Sequence, residues 1–334
     1  QVLGAFIGFI ILIGFVYFGP FITQSLETNY NTNLNNTEDN FSLPTQDINI
    51  YSNPRKAEFE YIINGEHWTL TTTLYKGLSD YLEELPREIY YTPEYENPPT
   101  EYDFLMKKLN DEKQKPFLDS FIQFAKDKNI SENDKVRLIV NLVQQIPYDY
   151  SASDYQVDIG KYPYEVLYKN KGVCGEKAPL LIYFLKELGY GTAYLSFEQE
   201  KHAVTGIKCP SQYDYKDSGY CFIESTSPNI ITDHYGSYRT VGELKSTPDV
   251  IVISDGKTYS GAKEDFENTL RYQELKENHK NSSDYKEWLS LRKKYGLEQK
   301  QCDGDALICN GECWTPCEKG HGFYCTTNGA ICKK

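Results

Sequence analysis

Three residues of this chain have the types and the order that turn a thiol into a nucleophile. Cys174 stands in Lys171-Gly172-Val173-Cys174-Gly175-Glu176-Lys177-Ala178, where a loop gives way to a helical pattern. His202 follows 28 positions later in Lys201-His202-Ala203-Val204, and Glu224 a further 22 later in Phe222-Ile223-Glu224-Ser225-Thr226. A cysteine sulfur attacks a carbonyl when a base takes its proton and a third group orients that base. The positive end of a helix favours an anion at its first residues. Gly172 and Gly175 let backbone N–H groups come close to a developing oxyanion. In this scheme His202 is base toward the thiol and acid toward the leaving amine, and Glu224 fixes the imidazole tautomer. Residue types alone prove little. Free cysteines are commonly small buried hydrophobes, and a lone strand histidine is more often structural.

The elements around these residues follow from periodicity. Ala178, Leu181, Ile182, Leu185 and Leu188 recur at helical spacing after Cys174, and Gly189 closes the pattern. Three β-like runs come next: 192–197, 203–208 and 220–224. Upstream, Leu118, Phe121, Ile122 and Ala125 share a helical face. Ser131 with Asp134 resembles a capping box ahead of Val136, Ile139, Val140, Val143 and Ile146. Helices, then a nucleophile helix, then antiparallel strands make an α+β pattern. Asn64-Gly65 between β-prone runs predicts a hairpin, whereas the rest of 55–116 reads as loop-rich. Residues 263–295 are helical but polar on most faces, so 256–300 reads as a charged spacer.

Composition sets the compartment and excludes one class of partner. The formal charge of −13 argues against nucleic-acid binding. Residues 1–22 are apolar and free of charge, close to the ~20 residues that cross a bilayer. A membrane anchor is the favoured reading over a buried core helix, which would normally carry a polar face. The chain opens at Gln1 rather than methionine, which is consistent with residues upstream. No Lys or Arg precedes Arg55, while Glu27, Glu38, Asp39 and Asp47 follow the apolar run. The positive-inside rule then puts the remainder outside the cytoplasm, as a single-pass cell-membrane protein. Residues 23–54, rich in Asn, Thr and Ser, read as a flexible stalk. The sequons at Asn35, Asn40, Asn129 and Asn281 agree weakly.

The chain has nine cysteines. Cys302, Cys309, Cys313, Cys317, Cys325 and Cys332 crowd the segment 301–334 without zinc-ribbon spacing, so a disulfide-rich module is favoured over a metal site. Cys209 and Cys221 flank a loop between strands and are expected to pair; two buried free thiols are the alternative. Cys174 is then the unpaired thiol.

Flanking residues make the constellation far more specific. Ile146-Pro147-Tyr148-Asp149-Tyr150 is similar to the end of a W-V-x-x-x-I-x-Y segment. Pro163 through Ala178 fits P-x-E-x-L-x-x-x-x-G-x-C-x-x-x-A, and Lys201–Val204 and Tyr220–Pro228 supply a histidine strand and a strand ending in acid-x-Thr. Over 134–228 the chain resembles the microbial and archaeal type of transglutaminase-like domain, in the papain-like cysteine enzyme superfamily. That resemblance implies a papain-like core over 117–255, with Cys174 as nucleophile, His202 as base and Glu224 as third member. It also implies acyl transfer at amide bonds of a protein or peptide substrate, cell-wall peptides included; no cofactor or metal is expected, since no D-x-D-x-D-G run marks a calcium site. The departures are Glu where many relatives have Asp, and Ala-Val after the histidine where many have Ala-Trp. Tyr148, Tyr150 and Gln145 are candidates for the side chain that assists the oxyanion hole. Hydrolysis is favoured over amine cross-linking. The rival reading is a non-catalytic surface scaffold on a degenerate fold of this type, with the tail contacting glycan or envelope.

Overall fold

A computed structural model describes residues 49–298 apart from 94–95, 154–159, 236, 239–241 and 279–281, together with the tail segments 307–309, 312–314, 321–326 and 329–333. The expected anchor at 1–22 and nearly all of the expected stalk lie outside the described residues. Among the described residues no helix is long and apolar enough to cross a membrane.

The fold is α+β. β1 (Pro54–Ile63) and β2 (Glu66–Tyr75) form an antiparallel hairpin, Ile63 opposite Glu66. Asn64 and Gly65 both take positive φ, which the two-residue turn requires. Two helices follow within the stretch expected to be loop-rich, α1 (Lys76–Glu84) and α2 (Glu101–Leu109). Each is short and buries only two large apolar residues, Leu78 and Leu82 in the first, Leu105 and Leu109 in the second. Prolines on either side hide so brief a period. Then come α3 (Lys115–Lys126), α4 (Glu132–Gln145), the single turn α5 (Tyr150–Ser153), α6 (Pro163–Lys169) and α7 (Cys174–Glu187). The Ser131 hydroxyl accepts the Asp134 N–H and caps α4, as its spacing predicts.

The main sheet is antiparallel in the order β5–β4–β3–β8, built from β3 (Thr192–Phe197), β4 (His202–Lys208), β5 (Tyr220–Ile223) and β8 (Asp249–Ser254). A minor pair, β6 (Ser237–Tyr238) and β7 (Gly242–Glu243), lies between β5 and β8 in sequence. Helix α7 is the hub. It packs on β3 and β4 on one side and on α2, α3, α4 and α6 on others. Leu180, Leu181, Ile182, Tyr183, Phe184 and Leu185 are all buried, so the helix is covered all round rather than along one stripe. At about 1.5–3 kcal/mol per buried large apolar side chain, this burial fixes where its first residue sits. Phe59, Tyr61 and Leu74 of the hairpin join the same core.

Helices α8 (Ala262–Asn278) and α9 (Ser282–Tyr295) fall in the stretch read from sequence as a spacer. They dock through a small apolar cluster of Ile230, Tyr272, Leu275, Leu291, Tyr295 and Leu297. A polar clamp adds to it: Arg137 of α4 pairs with the buried Asp265 at 2.7 Å, and Tyr295 donates to the same carboxylate at 2.8 Å.

Candidate active site

The start of α7 is set by the chain on both sides of it. Asn170 closes α6 in the left-handed region at φ 52°. The next residues run beside 147–149, with Gly172 N–H donating to Pro147 O and Asp149 N–H donating to Gly172 O, both at 3.2 Å. Gly172 lets the chain pass close by, since a Cβ there would crowd Lys177 Cγ at 3.2 Å and Val166 Cγ1 at 3.3 Å. Val173 then takes an extended conformation, and Glu176 accepts its N–H at 3.0 Å. Cys174 therefore becomes the first helical residue. Val173 O accepts the N–H groups of Glu176 and Lys177, so the amides of Cys174 and Gly175 are the helix-start donors without an intrahelical acceptor. Glu176 pairs with Lys161 at 2.8 Å, and Lys161 also reaches Asp149 at 3.1 Å. Lys171 meets the same Asp149 at 3.1 Å, so ion pairs hold the loop that presents Cys174. Burial opposes ionisation of Asp149, yet Ser151, Lys161 and Lys171 bring its carboxyl down to about 2.

His202 is the first residue of β4, opposite Phe197 across the hairpin. Lys201, at φ 50°, makes the turn that delivers it. Glu224 directly follows β5, the neighbouring strand. His202 Nε2 lies 2.9 Å from Glu224 Oε2; because a carboxylate only accepts, Nε2 is the donor. Thr226 donates twice to the other carboxylate oxygen, from N–H at 2.7 Å and from Oγ1 at 2.6 Å. Glu224 is 0% exposed and His202 6%. Burial disfavours the imidazolium, but the Glu224 charge and hydrogen bonds to Cys174 and Glu224 overcome it, raising His202 to about 10. Burial likewise opposes the carboxylate, and His202 with Thr226 outweighs it, so Glu224 lies below its ordinary value. Cys174, partly exposed, is the free cysteine among the described residues. The structure thus gathers all three expected residues: an acid–imidazole pair with a thiol as the imidazole's second partner.

The expected Cys209–Cys221 bridge is present, with Cα atoms 5.6 Å apart. It joins the far ends of β4 and β5, the strands that carry His202 and Glu224. In the tail Cys332 is disulfide-bonded; the pairing expected of the other tail cysteines lies outside what is described.

The oxyanion candidates separate. Gln145 does not reach the site: its amide donates to Gly296 O at 3.3 Å and Glu298 O at 2.9 Å, bracing the end of α9. Tyr148 pairs with Gly172 in the loop before Cys174, its ring 4.9 Å from that of Tyr150. Tyr194 of β3 was not marked by its sequence setting. A Cβ on Gly175 would meet its hydroxyl at 3.6 Å. Its ring is buried, and burial together with the charges of Glu101 and Cys174 keeps that hydroxyl protonated, hence a donor. No local signal reveals it, since tyrosines are common in this chain (29 in all).

No family model matches this chain, and no curated protein matches it.

Proposed function

We propose that this chain is a transglutaminase-like cysteine enzyme of the papain-like type, acting by acyl transfer at amide bonds of a protein or peptide. The observation that carries the reading is the buried His202–Glu224 hydrogen bond at 2.9 Å with Cys174 as the imidazole's other partner. An imidazole with raised proton affinity takes the thiol proton readily and keeps it for the leaving group. Sulfur then attacks the carbonyl carbon, an S–C bond forms, and the carbonyl electrons move to oxygen. The N–H groups of Cys174 and Gly175 stand where a helix start stabilises that charge. Collapse breaks the C–N bond, and the amine departs with the proton from His202. A water molecule, deprotonated by His202, next attacks the thioester; the carboxylic acid leaves and the thiol is restored. Hydrolysis is the favoured outcome. An amine in place of water would give a new amide by the same steps.

The location belongs to the same proposal: an extracellular domain carried by a membrane anchor at 1–22, with no nucleic-acid partner. The Cys209–Cys221 disulfide supports an oxidising compartment.

The test is thiol reactivity. Cys174 is expected to react with iodoacetamide near pH 6 roughly tenfold or more faster in the folded protein than in urea. Cys174→Ala is expected to fold and to lose all amide-cleaving or cross-linking activity. Equal rates folded and unfolded, or activity surviving in C174A, reject the enzyme.

A further inference from the structure

Lys177 lies one helical turn beyond Cys174, and the scheme above does not use it. It is 0% exposed, an extreme position for the most hydrated of side-chain cations. Its stem passes under Gly172, and its nitrogen ends among three backbone oxygens: Ile146 at 2.5 Å, Thr226 at 3.3 Å and Gln144 at 3.4 Å. The first and last belong to the C-terminal end of α4. The middle one comes two residues after Glu224. Gln144 adds a second tie between the same parts, its amide donating to Glu224 O at 2.8 Å.

Three acceptors match the three protons of an ammonium; a neutral amine would turn its lone pair toward one of the oxygens. Burial pushes the Lys177 ammonium down to about 7, with the Glu224 charge acting in the other direction. Among the titratable groups around it, Glu224 is the charge that acts on Lys177. His202 is hydrogen-bonded to Glu224, Cys174 stands three residues before Lys177 on the same helix, and Glu176 there is committed to Lys161. The α4 end offers the carbonyls of Gln144 and Ile146.

We propose that Lys177 is a positioning residue of the Cys174–His202–Glu224 array: its buried ammonium clamps the Glu224 segment and the end of α4 to the nucleophile helix, and it stabilises the Glu224 carboxylate once His202 has given its proton to the leaving amine. This rests on the proposed chemistry. While His202 is an imidazolium, Glu224 has a partner charge. After proton transfer the carboxylate would be a buried anion facing a neutral ring, a state that is costly without a compensating cation.

The experiment compares wild type, Lys177→Met and Lys177→Arg by the pH profile of Cys174 alkylation with iodoacetamide, and by thermal unfolding. Met keeps the length and removes the charge. K177M is expected to move the acid limb of the profile up by roughly one pH unit, the effect of losing one nearby opposite charge; K177R is expected to restore it toward wild type. An unchanged profile in K177M, or a uniform loss of rate at every pH, overturns the proposal. If K177M does not fold, Glu224→Gln/Lys177→Met decides: removing both charges is expected to restore folding, and failure of the double variant overturns the inference. A wild-type Cys174 that reacts no faster than in urea rejects the enzyme instead. Lys177 is then judged by whether K177M lowers Tm less in the E224Q background than in wild type; equal losses overturn it.

Discussion

His202 and Glu224 meet at 2.9 Å from the ends of two neighbouring strands, although 22 positions separate them in the chain. The contact is buried, and both Glu224 carboxylate oxygens are engaged, one by the imidazole and one by Thr226. A carboxylate held in this way fixes the ring and sets its tautomer.

Glu224→Gln keeps the shape and removes the charge. On the proposed chemistry, turnover is expected to fall about 10³–10⁴-fold, as it does when the third member of a catalytic triad is neutralised. The decrease should lie in kcat more than in KM. An E224Q enzyme within a few fold of wild type would remove Glu224 from the chemistry.

The pair also makes stability depend on pH. His202 is raised in the folded protein, so its contribution is complete below its ordinary value of 6.5 and is lost as pH rises toward about 10. Glu224 is lowered, so its contribution is present above its ordinary value of 4.5 and is lost as pH falls below that. The Tm difference between wild type and E224Q should therefore be largest between about pH 5 and 6.5 and shrink on both sides. A difference that does not change from pH 4 to 10 contradicts this assignment.

The disulfide at the far ends of β4 and β5 closes a short loop. Replacing Cys209 and Cys221 by serine is expected to cost about 2–4 kcal/mol. It should also slow Cys174 alkylation, because the strands that hold His202 and Glu224 lose a brace. Denaturant unfolding and alkylation rates measure both effects; a variant unchanged in rate would uncouple the bridge from the site.

Arg137 and Asp265 fasten the two charged helices. Arg137→Met leaves Asp265 buried without its cation, for an expected loss of about 3–5 kcal/mol. Hydrogen exchange should rise first in 262–295. Equal protection there in R137M would mean that the apolar cluster alone holds α8 and α9.

Much of the site was legible because its signals are local. The hairpin at Asn64-Gly65, the cap at Ser131 and the helix after Cys174 each depend on a few adjacent residues, and each formed where its spacing indicated. Cys174, His202 and Glu224 could be named because each marks the edge of its own element. Gln145 shows the limit: its amide chemistry suits an oxyanion hole, but its direction depends on the carbonyls at 296 and 298, which are distant in sequence. Docking of α8 and α9 was hidden for a similar reason, since charged residues that read as solvated carry the buried clamp.

By itself the sequence indicated the hairpin at Asn64-Gly65, the helices around Ser131 and after Cys174 and the strands that follow, and the three residues that stand at element edges. These follow from periodicity, capping and residue type, all short-range properties. Only the tertiary structure decided that His202 and Glu224 touch in a buried site, that Gln145 points elsewhere, that Tyr194 lies against the start of α7, and that Lys177 is enclosed by three carbonyls. Burial and field depend on what the rest of the chain brings alongside a residue, and no window of neighbouring residues contains that.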